Sequence, residues 1–280
     1  PTNFNDHTFN YVMCEECKLV FLDTLPSQND LEAMYPVSYQ GQPDCTIHKP
    51  ESKLCGLRFP YELHFSLIDK FTRGKKFLDF GCGNGNFIFN ARMQKNYVFD
   101  GVEFNSDMVK TLQEKNKENA FFTNDLFFSS GKKYDLIRLS NVFEHLTDPG
   151  DFLKKIKLHL ETDGLILIEG PIEANFTLAQ TLRNQYMRVK KILKITSAHP
   201  PNHIIFTNKE NQEMIFQKNG FETLYYKLTE KSWPYPESIS QIRSLKNLFA
   251  FTLGKLSIFF SRLNRNWGNT FIYVGKNKTN

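Results

Sequence analysis

Three glycines and a carboxylate are grouped in the segment Asp79-Phe-Gly-Cys-Gly-Asn-Gly85. Glycines at this spacing let the backbone turn tightly, adopt positive φ angles and approach a ligand closely. A dinucleotide-binding turn would have a glycine at position 86, where this sequence has Asn. A carboxylate beside the turn would also repel a pyrophosphate, whereas it would attract an ammonium group. The segment therefore favours S-adenosylmethionine, which carries an ammonium and a sulfonium and no phosphate, over NAD.

Two more acidic residues lie at or just beyond the ends of the next two predicted strands. Glu103 ends the second strand, where a carboxylate can accept hydrogen bonds from both ribose hydroxyls. Asp125 follows the third strand, where it can accept a hydrogen bond from an adenine amino group. A lone glycine turn is weak evidence, but three acidic residues at the ends of successive strands rarely occur by chance. We predict that the cofactor is bound by Asp79, Gly81, Cys82, Gly83, Gly85, Glu103, Phe104, Asp125, Leu126 and Ser140.

The segment 141–145, Asn-Val-Phe-Glu-His, follows the fourth predicted strand at the edge where open α/β sheets bind ligands. Methyl transfer to a hydroxyl requires removal of a proton, and a histidine of near-neutral pKa suits that step. His203, which follows two prolines, is a second candidate base. We predict catalytic roles for Glu144, His145 and His203. The alternative for Glu144 and His145 is a helix N-terminal turn, in which the helix dipole favours Glu.

Alternating strands and helices must position these residues. Apolar runs predict strands at 76–80, 97–104, 120–122, 134–139 and 164–169, and helical spacing predicts helices at 86–95, 107–116 and 149–160. The strand at 164–169 has no polar alternation, as expected when both faces of a sheet are covered. The predicted fold class is therefore α/β, with a Rossmann-like, doubly wound parallel sheet.

Other segments lie outside this alternation. We predict a helix at about 60–71, a second helix at 208–219, and strands at 221–227 and 270–274. The predicted domain organisation is an N-terminal appendage at 1–59 and a main domain at 60–280, with a helical lid at 172–203 and a helical insertion at 237–264.

Residues from about 60 to 275 resemble class I S-adenosylmethionine-dependent methyltransferases. The resemblance rests on the segments 77–85, 101–104, 134–146, 160–168, 203–207 and 219–221. It implies a seven-stranded sheet in which only the last strand is antiparallel. It also implies that Asp79 and the glycines hold the methionine part of the cofactor, Glu103 the ribose and Asp125 the adenine. Arg138 departs from the pattern; because a charge inside a strand is costly unless paired, we expect a carboxylate partner or an exposed strand end.

The segment 141–145 is also similar to a metal-assisted subgroup, the ubiquinone-pathway O-methyltransferases and small-RNA 2′-O-methyltransferases. That subgroup has Glu-x-x-Glu-His after this strand and a further His near the position of His203. Asn141 stands where the subgroup has its first Glu, and loss of an anionic ligand weakens a divalent-metal site. We therefore expect Glu144, His145 and His203 to act as acids or bases without a metal.

The pair Cys14-x-x-Cys17 resembles half of a zinc-ribbon leader found on bacterial methyltransferases of sugar and surface-polysaccharide pathways. The resemblance implies zinc at Cys14 and Cys17. A structural zinc needs four ligands, and the second pair would lie upstream of Pro1. The alternative is a β-turn with two reduced thiols.

Composition limits the partners of the chain. Its 280 residues include 35 Lys and Arg against 30 Asp and Glu, and a net charge of +5 is too mild to require nucleic acid. Five cysteines make no disulfide framework, and no run offers the roughly 18 apolar residues of a spanning helix. We therefore expect a cytoplasmic protein.

Two basic segments indicate further partners. Cations in the predicted lid fit an acceptor that carries phosphate, although such runs usually form a solvated helix face. These cations are Arg183, Arg188, Lys190, Lys191 and Lys194. Apolar residues recur every three or four positions through 237–264, which fits packing on the domain, a second subunit, or peripheral contact with a membrane surface.

The sequence thus predicts a methyltransferase that acts on a small polar acceptor, a hydroxyl of a nucleotide- or lipid-linked sugar, with His145 or His203 as base. The alternative is a cofactor-binding regulatory or scaffold module that has lost catalysis, an interpretation supported by Asn141 and Arg138. The glycine spacing disfavours NAD-dependent oxidoreduction.

Overall fold

Strands and helices alternate along most of the chain in a computed structural model, which describes residues 2–34, 61–192, 200–230, 236 and 238–278. The strands are β1 (Thr2–Phe4), β2 (His7–Phe9), β3 (Tyr11–Met13), β4 (Val20–Leu22), β5 (Phe77–Phe80), β6 (Phe99–Val102), β7 (Phe121–Phe122), β8 (Tyr134–Ser140), β9 (Leu160–Pro171), β10 (Ile205–Phe206), β11 (Phe221–Thr229) and β12 (Thr270–Asn277). The helices are α1 (Gln28–Met34), α2 (Glu62–Phe71), α3 (Asn86–Lys95), α4 (Ser106–Lys115), α5 (Asn124–Ser129), α6 (Pro149–Leu158), α7 (Leu178–Ile192), α8 (Lys209–Lys218) and α9 (Leu245–Leu263). Short 3-10 helices lie at Phe143–His145 and Ile239–Gln241.

Seven strands form the central sheet, in the order β11-β12-β9-β8-β5-β6-β7. Strands β5 to β9 run parallel, whereas β12 is antiparallel to both of its neighbours, β9 and β11. The predicted Rossmann-like sheet with an antiparallel last strand is therefore confirmed. The strand order reverses between β5 and β8, and the carboxyl ends beside such a switch point form the ligand-binding crevice of open α/β sheets.

Alternating side chains of the strands point to opposite faces of the sheet and build two buried apolar clusters. Leu78, Ile137 and Ile168 belong to one cluster. Their neighbours Phe77, Leu136 and Leu167 belong to the other. Both faces are thus covered, which explains why the strands carry so few polar residues and keeps their carboxyl ends in fixed positions.

The N-terminal segment is joined to the region around residue 205 by a three-stranded sheet. Strand β4 pairs antiparallel with β3 and with β10. The hydroxyl of Tyr11 donates to the backbone oxygen of His203 at 2.7 Å, and its ring stacks on Phe206 with centroids 4.6 Å apart. The predicted boundary at residue 59 lies outside the described residues, but residues 11–22 pack directly beside His203.

The remaining predictions differ from the structure in a few places. Helix α1, helix α5, which contains Asp125, and the two-residue strand β10 were not predicted, because each is too short to show a clear periodic pattern outside the alternation of strands and helices. Helix α7 forms part of the predicted lid, while residues 193–199, with Lys194, lie outside the described part of the chain. Helix α9 forms most of the predicted insertion. Within the described residues, no helix has the length and apolar character needed to cross a bilayer.

Candidate active site

The predicted glycine turn connects β5 to α3. Gly81, Gly83 and Gly85 have φ angles of 73°, 55° and 79°, a region that glycine adopts without steric cost. A Cβ atom on Gly81 would lie 2.5 Å from Cγ2 of Val142, so the turn packs closely against the segment that follows β8. A Cβ atom on Gly83 would meet no atom within 4 Å, so this side of the turn leaves room for a ligand.

Glu103 lies directly after β6 and its carboxylate is held against the turn. Its Oε2 accepts the backbone N–H of Gly83 at 2.9 Å, and its Oε1 accepts that of Asn105 at 3.1 Å. Two backbone donors fix the position of this carboxylate, and carboxylate oxygens can each accept a second hydrogen bond. The arrangement suits an acceptor for ribose hydroxyls, and that role stays a prediction.

Arg138 has the carboxylate partner that the sequence led us to expect. Its Nη1 lies 2.7 Å from Oδ1 of Asp79, and its guanidinium stacks 3.7 Å from the ring centre of Phe87. Burial raises the pKa of the Asp79 carboxyl, and the charge of Arg138 opposes this effect. Asp79 therefore lies beneath the turn and is paired with Arg138. Its predicted contact with the ammonium group of a cofactor stays a prediction.

Glu169 extends this pair into a network that the sequence reading missed. Its Oε1 accepts the hydroxyl of Ser140 at 2.8 Å and lies 3.8 Å from Nη2 of Arg138. Its Oε2 lies 3.2 Å from Nε2 of His64, whose pKa is lowered by burial. We call these residues, Asp79, Arg138, Glu169, Ser140 and His64, the Arg138 network. The available signal was a Glu at the end of an apolar strand, beside the strand that contains Arg138.

The residues predicted to contact adenine lie further out on the same edge. Phe104 and Leu126 have exposed side chains, and Asp125 lies in the first turn of α5. Exposed apolar side chains at this edge are suited to cover an adenine ring. Cys82, in contrast, is buried, and burial raises the pKa of its thiol, so its side chain packs in the core while its backbone forms the turn.

The three predicted catalytic side chains lie together, within 4.8 Å of one another. Nδ1 of His145 lies 2.5 Å from the backbone oxygen of Asn202, and because a carbonyl only accepts, this nitrogen carries the proton. The rings of His145 and His203 meet edge to face, with centroids 5.1 Å apart. The backbone oxygen of Glu144 accepts the N–H of Ile204 at 2.8 Å, which holds the two chain segments together.

Glu173 completes this group and was not predicted. Its Oε2 lies 2.5 Å from Nδ1 of His203. Burial alone would lower the pKa of His203, but the hydrogen bond and the charge of Glu173 raise it. The proton on Nδ1 leaves Nε2 as the basic atom of the neutral ring. We call Glu144, His145, His203 and Glu173 the histidine cluster.

The other two members of the histidine cluster have pKa values displaced in opposite directions. Burial raises the pKa of Glu144 to about 7. Burial and the charge of His203 lower the pKa of His145 to about 4, which makes it a weak base. Perturbed pKa values of this kind are typical of sites that move protons. Two imidazoles and a carboxylate could also hold a divalent cation, and Asn141, in the left-handed region at φ 51°, would add no anionic ligand.

The cysteine pair forms a tight turn. Lys18 N–H donates to the carbonyl of Cys14 at 3.1 Å, and backbone groups of Cys17 and Glu16 lower the pKa of the Cys14 thiol. The two cysteines form no disulfide with each other in this structure. Across the described ranges, Glu144, His145 and His203 form the only group of three or more His, Cys, Asp or Glu side chains spaced to bind a metal ion. The zinc predicted at Cys14 and Cys17 is therefore not supported.

Comparison with known proteins identifies the family. Residues 58–226 match a family model described as a methyltransferase domain, which is more than half of the chain. The protein therefore belongs to this methyltransferase-domain family.

Curated relatives are more distant. The chain is 24% identical over 104 residues to a ubiquinone biosynthesis O-methyltransferase of Actinobacillus pleuropneumoniae, covering 33% of this chain and 44% of that protein. A protein of the same name from Haemophilus ducreyi is 24% identical over 106 residues, covering 34% and 44%. The chain thus spans less than half the length of these relatives.

A solved structure supports the fold. The crystal structure of MccD protein matches with a TM-score of 0.52 and 14% identity, covering 78% of this chain and 97% of that one. A SAM-dependent methyltransferase from Archaeoglobus fulgidus matches with a TM-score of 0.47 and 21% identity, covering 79% and 96%.

Proposed function

We propose that the protein transfers a methyl group from S-adenosylmethionine to a hydroxyl of a small polar acceptor. The observation that carries this proposal is the carboxylate of Glu103 hydrogen-bonded to Gly83, in a turn of three glycines with positive φ. Family membership supports methyl transfer, and the open space at Gly83 supports a ligand at the turn. When bound, the cofactor supplies an electrophilic methyl group on its sulfonium.

The residues of the chain divide into a binding group and a proton-transfer group. Glu103 and the backbone of the glycine turn would hold the nucleoside, with Asp125, Phe104 and Leu126 around the adenine. In the histidine cluster, Nε2 of His203 would accept the proton of the acceptor hydroxyl. Glu173 would hold the ring in the correct tautomer and stabilise the resulting imidazolium. A pKa of about 4 makes His145 the weaker of the two predicted bases.

The acceptor that we favour is a hydroxyl of a nucleotide- or lipid-linked sugar. Arg183 lies at the rim of the histidine cluster, with its Nη1 3.9 Å from Oε1 of Glu173, and offers a cation to a phosphate. The name of the curated relatives supports an oxygen acceptor and makes a hydroxyl of a ubiquinone precursor the second candidate.

Calorimetric titration tests the cofactor part of the proposal. We expect S-adenosylmethionine to bind and NAD not to bind. Glu103→Gln should weaken binding about 10- to 100-fold, because a charged hydrogen-bond acceptor is lost. Asp107→Asn, which changes an exposed carboxylate in the first turn of the neighbouring α4, is the matched control and should bind like the wild type. Absence of binding to the folded wild-type chain would refute the proposal.

The inactive-module alternative is tested by turnover. The pairing of Arg138 with Asp79 removes one of the two sequence features that supported this alternative, since a neutralised Arg fits a working site. Formation of S-adenosylhomocysteine in the presence of sugar nucleotides, lipid-linked sugars or ubiquinone precursors would establish the activity. Cofactor binding without turnover on any of the three acceptor classes would instead favour the module.

A further inference from the structure

Helix α9 presents an apolar stripe on its outer side. The stripe consists of Leu245, Phe249, Leu256, Phe259, Phe260 and Leu263, whose exposed fractions range from 40% to 85%. Separations of three, four or seven residues place them along one side of the helix. A helix on the surface of a globular protein normally turns its polar side to water, so an exposed stripe of this kind marks a contact surface.

The opposite side of α9 is already occupied. Gly254 and Ser257 are buried there, and the Ser257 hydroxyl accepts the backbone N–H of Ala179 in α7 at 3.1 Å. Helix α7 adds exposed Leu182, Val189 and Ile192. We call the exposed surface of these two helices the α7–α9 face.

The charge of the two helices has a single sign. Together α7 and α9 contain seven Lys and Arg and no Asp or Glu, whereas the whole chain has a net charge of +5. The rest of the chain is therefore slightly acidic, with a net charge of −2. Cations flank the apolar stripe, among them Lys246 and Lys255 on α9, which is the pattern of helices that lie in a membrane interface.

A basic cleft lies at the carboxyl end of α9. It has a volume of about 840 Å³. The cations that line it are Lys209, Lys227, Arg262 and Arg265. Glu230, the one carboxylate of the lining, is hydrogen-bonded to Ser257 at 2.5 Å. The cleft thus adds positive charge at the carboxyl end of the helix that carries the apolar stripe.

We propose that the α7–α9 face binds the surface of a bilayer that contains anionic lipids. Apolar side chains would enter the interface while Lys and Arg contact the headgroups. A second copy of the chain fits less well, because a symmetric contact would bring two surfaces of the same charge together. Nucleic acid would neutralise the cations but leave the Leu and Phe stripe exposed. The proposal concerns binding alone and does not depend on the proposed activity.

Co-sedimentation of the full chain with vesicles tests the proposal. We expect binding to phosphatidylcholine vesicles that contain about 30% phosphatidylserine, little binding to phosphatidylcholine alone, and weakening by salt. Phe249→Ser with Phe259→Ser should reduce partitioning about 10- to 100-fold. Lys255→Glu with Arg262→Glu should reduce it by a similar factor. Met93→Ser with Leu158→Ser changes exposed apolar side chains on α3 and α6 and should have no effect.

The outcomes distinguish a bilayer, a second copy of the chain and nucleic acid as the partner of the α7–α9 face. Near-ultraviolet circular dichroism should be the same for all variants, since each changed side chain is exposed. The proposal is overturned if the wild type binds neither vesicle, or if the Phe variant binds as well as the wild type. It is also overturned if sedimentation shows that the wild type is a dimer and that the Phe variant is a monomer. A third contrary outcome is that duplex RNA displaces the wild type from anionic vesicles and that the Phe variant still binds this RNA.

Discussion

The Arg138 network and the histidine cluster lie at the same edge of the sheet, but they differ in their access to water. Asp79 and Arg138 are paired at 2.7 Å with side chains 1% and 4% exposed. His203 and Glu173 are paired at 2.5 Å with side chains 28% and 20% exposed. Removing one member of a buried pair leaves an unpaired charge, so such a pair holds its geometry and its protonation state. A pair that is partly open to water can exchange a proton with a ligand.

This difference in exposure indicates that the two groups have different roles at one edge of the sheet. The Arg138 network connects β5, β8, β9 and α2 and thereby fixes the strand ends beneath the glycine turn. The histidine cluster joins segments that are far apart in the chain and has displaced pKa values. The first group should therefore matter mainly for stability, and the second for rate.

Loss of His203 should have the largest effect. We expect His203→Ala to lower kcat about 10²- to 10⁴-fold, because the base that accepts the acceptor proton is removed. His145→Ala should cost only about tenfold or less, since a base with a pKa near 4 is weak at neutral pH. The measurement is steady-state formation of S-adenosylhomocysteine. Equal losses in the two variants would contradict the assignment of His203 as base.

Loss of Arg138 should mainly affect folding. We expect Arg138→Met to lower the free energy of unfolding by about 3–5 kcal/mol, because Asp79 would remain buried without its cation. Urea denaturation followed by circular dichroism measures this change. Lys155→Gln breaks an exposed ion pair with Asp151 and should leave the free energy of unfolding almost unchanged, because water screens the pair. If the two variants were equally stable, the Arg138 network would not be a major source of stability.

Glu173→Gln tests whether this carboxylate acts through His203. In the wild type, Glu173 raises the pKa of His203 above its ordinary value of 6.5. The neutral base therefore forms, and the rate rises, only as the pH passes this raised pKa. Removing the negative charge lowers this pKa, and the acid limb of the kcat/KM profile should move to lower pH. The plateau rate should also fall about tenfold, because a weaker base is less effective. A lower rate with an unmoved acid limb would indicate a purely structural role.

Removal of metal ions should have the smallest effect. Asn141 supplies no anionic ligand beside Glu144, so we expect dialysis against EDTA to leave the rate unchanged. The control adds Mg²⁺, Mn²⁺ or Zn²⁺ back to the dialysed protein. If activity disappears on dialysis and one of these ions restores it, the histidine cluster is a metal site.

Much of the sheet could be predicted because its signals are local. The apolar run at 164–169 lies within β9, and the apolar run before Gly81 corresponds to β5. The short elements α5 and β10 were missed because six or two residues show no measurable period. Local patterns therefore identified the longer elements of the main domain, and they also identified the two-residue strand β7 within the predicted strand at 120–122.

The site was only partly predictable because its decisive contacts are not local. The chemistry of His145 and His203 indicated a role in proton transfer, and the sheet edge explained their proximity. The pairings of Glu173 with His203 and of Glu169 with Arg138 join different segments, and nothing in the spacing of these residues indicates them. A rule that considered every carboxylate near the end of a parallel strand would have found both.

The hydrogen bond from Tyr11 to the carbonyl of His203 connects residues 192 positions apart. Strand β4 also shields β10, which begins two residues after this histidine. Removal of residues 2–22 would take away this hydroxyl and strand β4 together, so the backbone position of His203 depends on a segment far from it in the sequence.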